Sequence, residues 1–196
     1  MNNLSINGEK IEELQSLASQ NLFMHAQQIN DWAGDLRIFV KGEGVWVTDI
    51  NDNKYLDSTG GLWFKGAGYG REEIGKAIYE QICEIETPPA MAACIPQIEL
   101  AAKIAEIYPD KYARSFFTSG GSESVETAVK MAKKYQINTG KSGAYKVISR
   151  RYSYHGATAM AVSLGKPSTS DTMGPEMPGA IHVQNWDSYR IPNNMD

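Results

Sequence analysis

The sequence has few cysteines and few histidines. Its 196 residues include two cysteines, Cys83 and Cys94, and three histidines. Two cysteines are too few for a disulfide framework or a structural zinc site, and the scattered histidines form no metal-ligand cluster. We therefore expect a reduced setting for the chain and no bound metal.

The sequence also lacks a long apolar run and an excess of positive charge. Nowhere do about 18 apolar residues follow one another, and the N-terminal stretch MNNLSINGEKIEELQSL has no apolar core of the kind found in signal peptides. The formal net charge is −4, which provides no electrostatic footprint for nucleic acid. These absences predict a cytoplasmic protein that has neither a membrane nor a nucleic acid as partner.

The residues that are present are those of an ordinary folded domain. Hydrophobic residues make up 42% of the sequence, and a chain of this length can bury roughly 70% of its unfolded surface. A short helical pattern near the N-terminus is followed by the β-rich runs LRIFV, VWVTDI and KYLD, which turn residues separate. We predict that residues 1–60 form a helix and a small antiparallel β-meander.

The pattern changes near Gly61. Two helical patterns follow, and then the runs SFFT, YKVIS and AIHV alternate with further helical patterns. Strands that alternate with helices are typical of a parallel sheet with flanking helices. We predict an α/β fold over residues 61–196. Because three parallel strands are few for a finished sheet, we expect this sheet to be incomplete.

A glycine–serine turn, SGGS at residues 119–122, precedes the strongest helical pattern, in which Glu126 and Lys130 have the spacing of an i,i+4 ion pair. Free N–H groups at the start of a helix attract anions, glycines allow a phosphate to approach, and the Ser122 hydroxyl adds a donor. Alternatively, the turn is only a sharp junction capped by Ser122. A Walker A loop would need a lysine after the glycines, and the dinucleotide fingerprint would need a glycine at Val125, so neither motif is present.

A second group of candidate residues, Tyr154-His155-Gly156, follows the predicted strand YKVIS. Residues after the carboxyl ends of parallel strands line one crevice, so we expect this group and the glycine–serine turn to open into the same place. An aromatic face beside a phosphate site suits a flat phosphorylated ring. The alternative is that Tyr154 is a packed core residue and His155 a solvated loop residue.

Taken together, these segments resemble the N-terminal half of a class III aminotransferase of the omega-amino acid type. The resemblance covers residues 37–190. It is carried by GEGVWVTDINDNKYLDSTGGLW with GYG, by FFTSGGSESVETAVKMAKKY, and by YHGAT with SLG, in this order. It implies a pyridoxal-phosphate enzyme of fold type I, with the small-domain segment in residues 1–60 and the first half of the large, cofactor-binding domain in residues 61–196.

The resemblance also implies roles for particular residues. Those implied to bind pyridoxal 5'-phosphate, at its phosphate or beside its ring, are Gly120, Gly121, Ser122, Tyr154 and His155. Trp63 matches a tryptophan near the mouth of the substrate pocket. The implied reaction moves an amino group from an amine or amino acid to a 2-oxo acid, and the implied assembly is a homodimer.

No catalytic residue is implied within the chain. The family's cofactor-holding lysine, the aspartate at the pyridine nitrogen and the carboxylate-binding arginine would lie beyond Asp196. We therefore interpret the chain as a truncated enzyme or one half of an enzyme, and we expect no turnover from it alone. Two alternatives stay open: a non-catalytic α/β module that binds a phosphate ligand or dimerises, and an aminomutase or decarboxylase of the same fold.

Overall fold

The computed structural model describes residues 8–25, 27–110, 112–165, 175–186 and 189. The chain divides into two units, Met1–Cys94 (unit 1) and Ile95–Asp196 (unit 2). The domain boundary that the sequence predicts at residue 60 concerns the complete fold and stays a prediction.

Unit 1 contains the meander that the sequence predicts. Strands β1 (Phe39–Glu43), β2 (Trp46–Asp49) and β3 (Lys54–Leu56) pair antiparallel in the order β1-β2-β3, with Val47 opposite Gly42 on one side and Tyr55 on the other. The antiparallel prediction is confirmed. The helices among the described residues of unit 1 are α1 (Gly8–Asn21), a 3-10 turn (Ile29–Asp31), the single turn α2 (Gly60–Trp63) and α3 (Glu72–Glu84).

Asp49 organises the tight turn between β2 and β3. Its side chain is 4% exposed. Its carboxylate accepts hydrogen bonds from the backbone N–H groups of Asn51 and Asn53, from the Asn53 amide and from the Tyr55 hydroxyl. Burial alone would raise the pKa of Asp49, but these hydrogen bonds outweigh burial, and the pKa lies below its ordinary value.

This arrangement predicts an acid-sensitive unit 1. The lowered pKa means that Asp49 stabilises the fold above the unfolded-state pKa of about 3.9, and that this stabilisation is lost as the pH falls through the folded-state pKa. We expect Asp49→Asn to weaken the pH dependence of the free energy of unfolding below about pH 4 in urea titrations, and Asp49→Ala to destabilise unit 1 at neutral pH. The neighbouring exposed carboxylate provides a control, Asp52→Asn. An acid profile that Asp49→Asn leaves unchanged would contradict the prediction.

Helix α3 shows the amphipathic pattern that the sequence predicts. Ile74, Ile78, Ile82 and the adjoining Ile85 recur at helical spacing, and their exposed fractions lie between 40% and 56%. Within unit 1 this apolar face is therefore only partly covered. Neither α3 nor any other helix among the described residues is long and apolar enough to cross a membrane.

Unit 2 is the α/β part of the chain. Strand β4 (Val147–Arg150) pairs in parallel with β5 (Ala180–Val183), with Val147 opposite Ala180. This pairing confirms the predicted parallel arrangement. The helices among the described residues of unit 2 are α4 (Ile95–Ile107), α5 (Gly121–Asn138) and α6 (Ala159–Gly165). The buried apolar side chains among these residues come from α6: Met160, Ala161 and Leu164.

One predicted strand, SFFT at residues 115–118, is not a strand in the structure. The segment is irregular and leads directly into α5. A β-rich run becomes a strand only when a neighbouring strand satisfies its backbone hydrogen bonds, and the sheet of unit 2 consists of β4 and β5 among the described residues. The predicted third strand is therefore wrong for this structure.

Candidate cofactor site

The glycine–serine turn forms the start of α5, as the sequence predicts. Gly120 is extended, with φ −172° and ψ 179°, and helical residues begin at Gly121. The Gly120 carbonyl accepts the N–H of Ser124 at 3.0 Å. The hydroxyls of Thr118 and Ser124 lie 3.0 and 3.1 Å from the same carbonyl and 2.6 Å from each other. These two hydroxyls fix the turn, and the sequence analysis did not identify them.

Gly121 presents open backbone to its surroundings. Apart from the adjoining residues and the backbone of α5 itself, no atom of the described residues lies within 4 Å of the position that a Cβ at Gly121 would take, so packing among these residues does not require a glycine there. The first N–H groups of α5 have no partners within the helix, and the aligned peptide dipoles add partial positive charge. Open backbone with free donors fits an anion that approaches the chain closely.

Ser122 links this turn to a second loop. The N–H of Ala157 donates a hydrogen bond to the Ser122 Oγ at 2.9 Å. Because the oxygen is the acceptor in this bond, the hydroxyl proton of Ser122 is left to donate to another group. Ser122 is not the N-cap of its own helix, because Gly120 occupies that position and Ser122 is the second helical residue. The capping alternative for Ser122 is therefore not what the structure shows.

Gly156 allows the second loop to reach Ser122. Its φ is +136°, and an added Cβ would lie 2.6 Å from the Ser122 Oγ and 2.9 Å from the Ala161 Cβ. Residues with a side chain rarely adopt this backbone conformation, and real Cβ atoms do not approach neighbours so closely. The glycine in YHGAT is therefore required where the two loops meet.

Tyr154 and His155 lie in this second loop, next to Gly156. The side chain of Tyr154 is 63% exposed, so it is not the packed core aromatic of the alternative interpretation. His155 Nε2 lies 3.1 Å from the Ser153 Oγ, which ties His155 to its own loop. The structure thus brings the loop of Tyr154 to the glycine–serine turn, while the cofactor-binding roles of Tyr154 and His155 stay predictions.

Glu126 was expected to pair with Lys130, but its carboxylate instead binds a backbone N–H group. Its Oε1 accepts the backbone N–H of Met160 at 2.9 Å. The pKa of Glu126 lies below its ordinary value. The Thr158 hydroxyl lowers this pKa most, and burial opposes the shift. The Met160 and Ala161 N–H groups and the charge of Lys130 lower it by smaller amounts. Free N–H groups at the start of α6 compete better for the partly buried carboxylate than an exposed ammonium does.

Trp63 lies in unit 1, in a turn of unusual backbone conformation. The φ angles of this turn, at Gly60, Gly61, Leu62 and Trp63, are all positive and lie between 57° and 73°. This conformation is energetically unfavourable for leucine and tryptophan. The Asp57 carboxylate holds the turn through the N–H groups of Thr59 and Gly61, and through the hydroxyls of Thr59 and Tyr69. The Trp63 side chain is 77% exposed. Its role at a substrate stays a prediction.

The structure is an α/β fold in which the glycine–serine turn at the start of α5 meets the loop that carries Tyr154. The model of the family "Aminotransferase class-III" matches residues 29–196. The chain belongs to the class III aminotransferase family.

Individual relatives agree with this assignment. The putrescine–pyruvate aminotransferase of Pseudomonas aeruginosa is 35% identical over 92% of this chain. An (S)-enantioselective omega-transaminase from Thermomicrobium roseum superposes with a TM-score of 0.87, at 35% identity over 93% of this chain. The omega transaminase of Pseudomonas jessenii in complex with PMP superposes with a TM-score of 0.84, at 28% identity over 92% of this chain.

The matched region is part of a longer protein in each relative. The chain covers 41% of the putrescine–pyruvate aminotransferase, 42% of the Thermomicrobium enzyme and 41% of the Pseudomonas jessenii enzyme. The chain accordingly corresponds to part of a fold type I α/β fold. Class III aminotransferases depend on pyridoxal 5'-phosphate.

Proposed function

We propose that this chain holds the phosphate and the ring of pyridoxal 5'-phosphate in an aminotransferase. The enzyme would move an amino group from an amine or omega-amino acid to a 2-oxo acid such as pyruvate. The substrates in the names of the relatives support this class of reaction. A homodimer and a cytoplasmic location belong to the same proposal.

The residues present fit the cofactor. Gly121 supplies open backbone at the start of α5, and Ser122 supplies a hydroxyl proton that its bond with Ala157 does not use. Tyr154 supplies an exposed ring on the loop that meets Ser122. Ser122 carries the proposal, because its hydroxyl accepts the Ala157 N–H and can still donate to a phosphate oxygen. When bound, the cofactor ring withdraws electrons from the substrate, while the protein binds and orients it.

The described residues assign no base for proton transfer. A lysine nucleophile must lose its charge, which burial promotes by lowering its pKa. Among the described lysines of unit 2, Lys133 is half-buried and the others are exposed. This observation also favours the second candidate, a module that binds a phosphorylated ligand without catalysis.

Ser122→Asp tests the phosphate site. Aspartate retains an acceptor for the Ala157 N–H and suits the start of a helix, but it places negative charge against a phosphate. We expect binding of pyridoxamine 5'-phosphate to weaken by more than about 1 kcal/mol, from repulsion at close range. Isothermal titration calorimetry measures this affinity, and this probe has no aldehyde that reacts with exposed lysines.

The matched control is Ser122→Asn, which has the same shape as aspartate without its charge. We expect this variant to bind more tightly than Ser122→Asp, and the difference between the two to shrink as salt screens the charge. Equal affinities of Ser122→Asp and the wild-type chain would contradict the proposed phosphate site.

A further inference from the structure

Two side chains of α5 bind the same distant segment of unit 2. Ser122 and Glu126 are four residues apart and therefore lie on one face of the helix, one turn from each other. Ser122 accepts the N–H of Ala157, and Glu126 accepts the N–H of Met160, each at 2.9 Å. The segment from Ala157 to Met160 is thus attached to α5 at two successive points.

The second attachment, between Glu126 and Met160, favours a carboxylate. The N–H groups in the first turn of a helix have no partner within that helix, and Glu126 satisfies one of them at the start of α6. The buried Thr158 hydroxyl makes no bond of good hydrogen-bond geometry, yet it is the largest cause of the lowered pKa of Glu126. The Thr158 hydroxyl is therefore an electrostatic contact of Glu126, and it also favours the charged carboxylate.

We infer that Glu126 is a positioning residue that sets the distance between the ring of Tyr154 and the phosphate turn. The inference rests on the proposed function, because it concerns how one ligand bridges the two loops. Glu126 does not touch the ligand. It acts by holding the segment that follows Tyr154, while Ser122 acts both on this segment and on the phosphate.

The exposure of Tyr154 explains why this support is needed. Tyr154 is 63% exposed, so burial of this residue does not fix the loop. The bond from the Ala157 N–H to Ser122 holds the loop after Tyr154, and the bond from the Ser153 N–H to the Gly165 carbonyl, at the end of α6, holds the loop before it. The bond from Glu126 to Met160 holds the start of α6 against α5, so that the loop of Tyr154, which is bonded to the end of α6, keeps its position relative to the phosphate turn.

Binding of two probes tests the inference. Pyridoxamine 5'-phosphate needs both the phosphate turn and the ring contact, whereas inorganic phosphate needs only the turn. We expect Glu126→Ala to bind pyridoxamine 5'-phosphate about 10-fold more weakly, the size of a lost stacking contact, and to bind inorganic phosphate as the wild-type chain does. Glu126→Gln retains an acceptor oxygen for Met160, and we expect it to restore most of the affinity.

A double-mutant cycle separates positioning from a general loss of structure. If Glu126 acts through the ring, Glu126→Ala should have little effect in a chain that already carries Tyr154→Ala, since the contact that it supports is gone. The control is Glu123→Gln, which removes a carboxylate from the first turn of α5. We expect that change to leave binding equal or slightly tighter, because it removes negative charge near the phosphate.

Each outcome bears on one proposal or the other. Additive effects of Glu126→Ala and Tyr154→Ala, or an equal loss for both probes, would overturn the positioning role. Unchanged hydrogen exchange at the Met160 amide in Glu126→Ala would overturn it even without a ligand. Binding of pyridoxamine 5'-phosphate by the wild-type chain that is no tighter than that of inorganic phosphate would instead refute the ring contact, and with it the proposed function.

Discussion

Gly156→Ala is expected to unfold unit 2 or to separate its two loops. The new Cβ would lie 2.6 Å from the Ser122 Oγ and 2.9 Å from both the Ala161 Cβ and the Ser122 Cα. These close contacts can be relieved only if α5 or α6 moves, because the Ser122 Cα belongs to the α5 backbone. Strain at a φ of +136° and overpacking together cost about 2–6 kcal/mol. This is a large share of the stability of an ordinary domain.

Hydrogen exchange followed by mass spectrometry measures this effect where it arises. We expect faster exchange of the amides in β4, β5 and α6, while the amides of β1, β2 and β3 serve as an internal reference. The control is Gly143→Ala, at a glycine of unit 2 without a positive φ, where the added Cβ has no described atom within 4 Å apart from those of its chain neighbours. Exchange in Gly156→Ala that matches Gly143→Ala would show that the two loops do not meet as described.

The sequence was sufficient to predict that the two loops meet, but not how they are joined. Each loop follows a β-rich run, and parallel α/β folds gather such loops at one edge, so Ser122 and Tyr154 could be grouped in advance. The bond from Glu126 to Met160 joins residues 34 positions apart. No local pattern encodes such a pairing, and the spacing of Glu126 and Lys130 favoured a different partner.

Two further differences between the sequence-based predictions and the structure also depend on tertiary contacts. The run SFFT has strong β-propensity, but a strand also needs a neighbour, which the described residues do not provide. Positive φ at Leu62 and Trp63 opposes the preferences of both residues. It persists because Asp57 binds the turn through several donors at once, and only the tertiary structure brings these donors together.

Gly121→Ala should separate ligand binding from stability. An added methyl group at Gly121 meets no atom of the described residues outside its own stretch of α5, and alanine in a helix is favoured over glycine by about 0.5–1 kcal/mol. Stability should therefore be unchanged or slightly higher. A phosphate seated on this backbone would meet the methyl group and lose hydrogen bonds to its charged oxygens, each of which contributes about 1.5–3 kcal/mol.

We accordingly expect Gly121→Ala to bind pyridoxamine 5'-phosphate about 10- to 100-fold more weakly than the wild-type chain, with a thermal midpoint that is equal or higher. Calorimetric titration and thermal unfolding of the same samples measure the two quantities, and Gly143→Ala again provides the control. A turn that serves only as a junction would show the gain in stability without the loss of binding. Unchanged affinity in a stable Gly121→Ala chain would therefore exclude this backbone as the phosphate site.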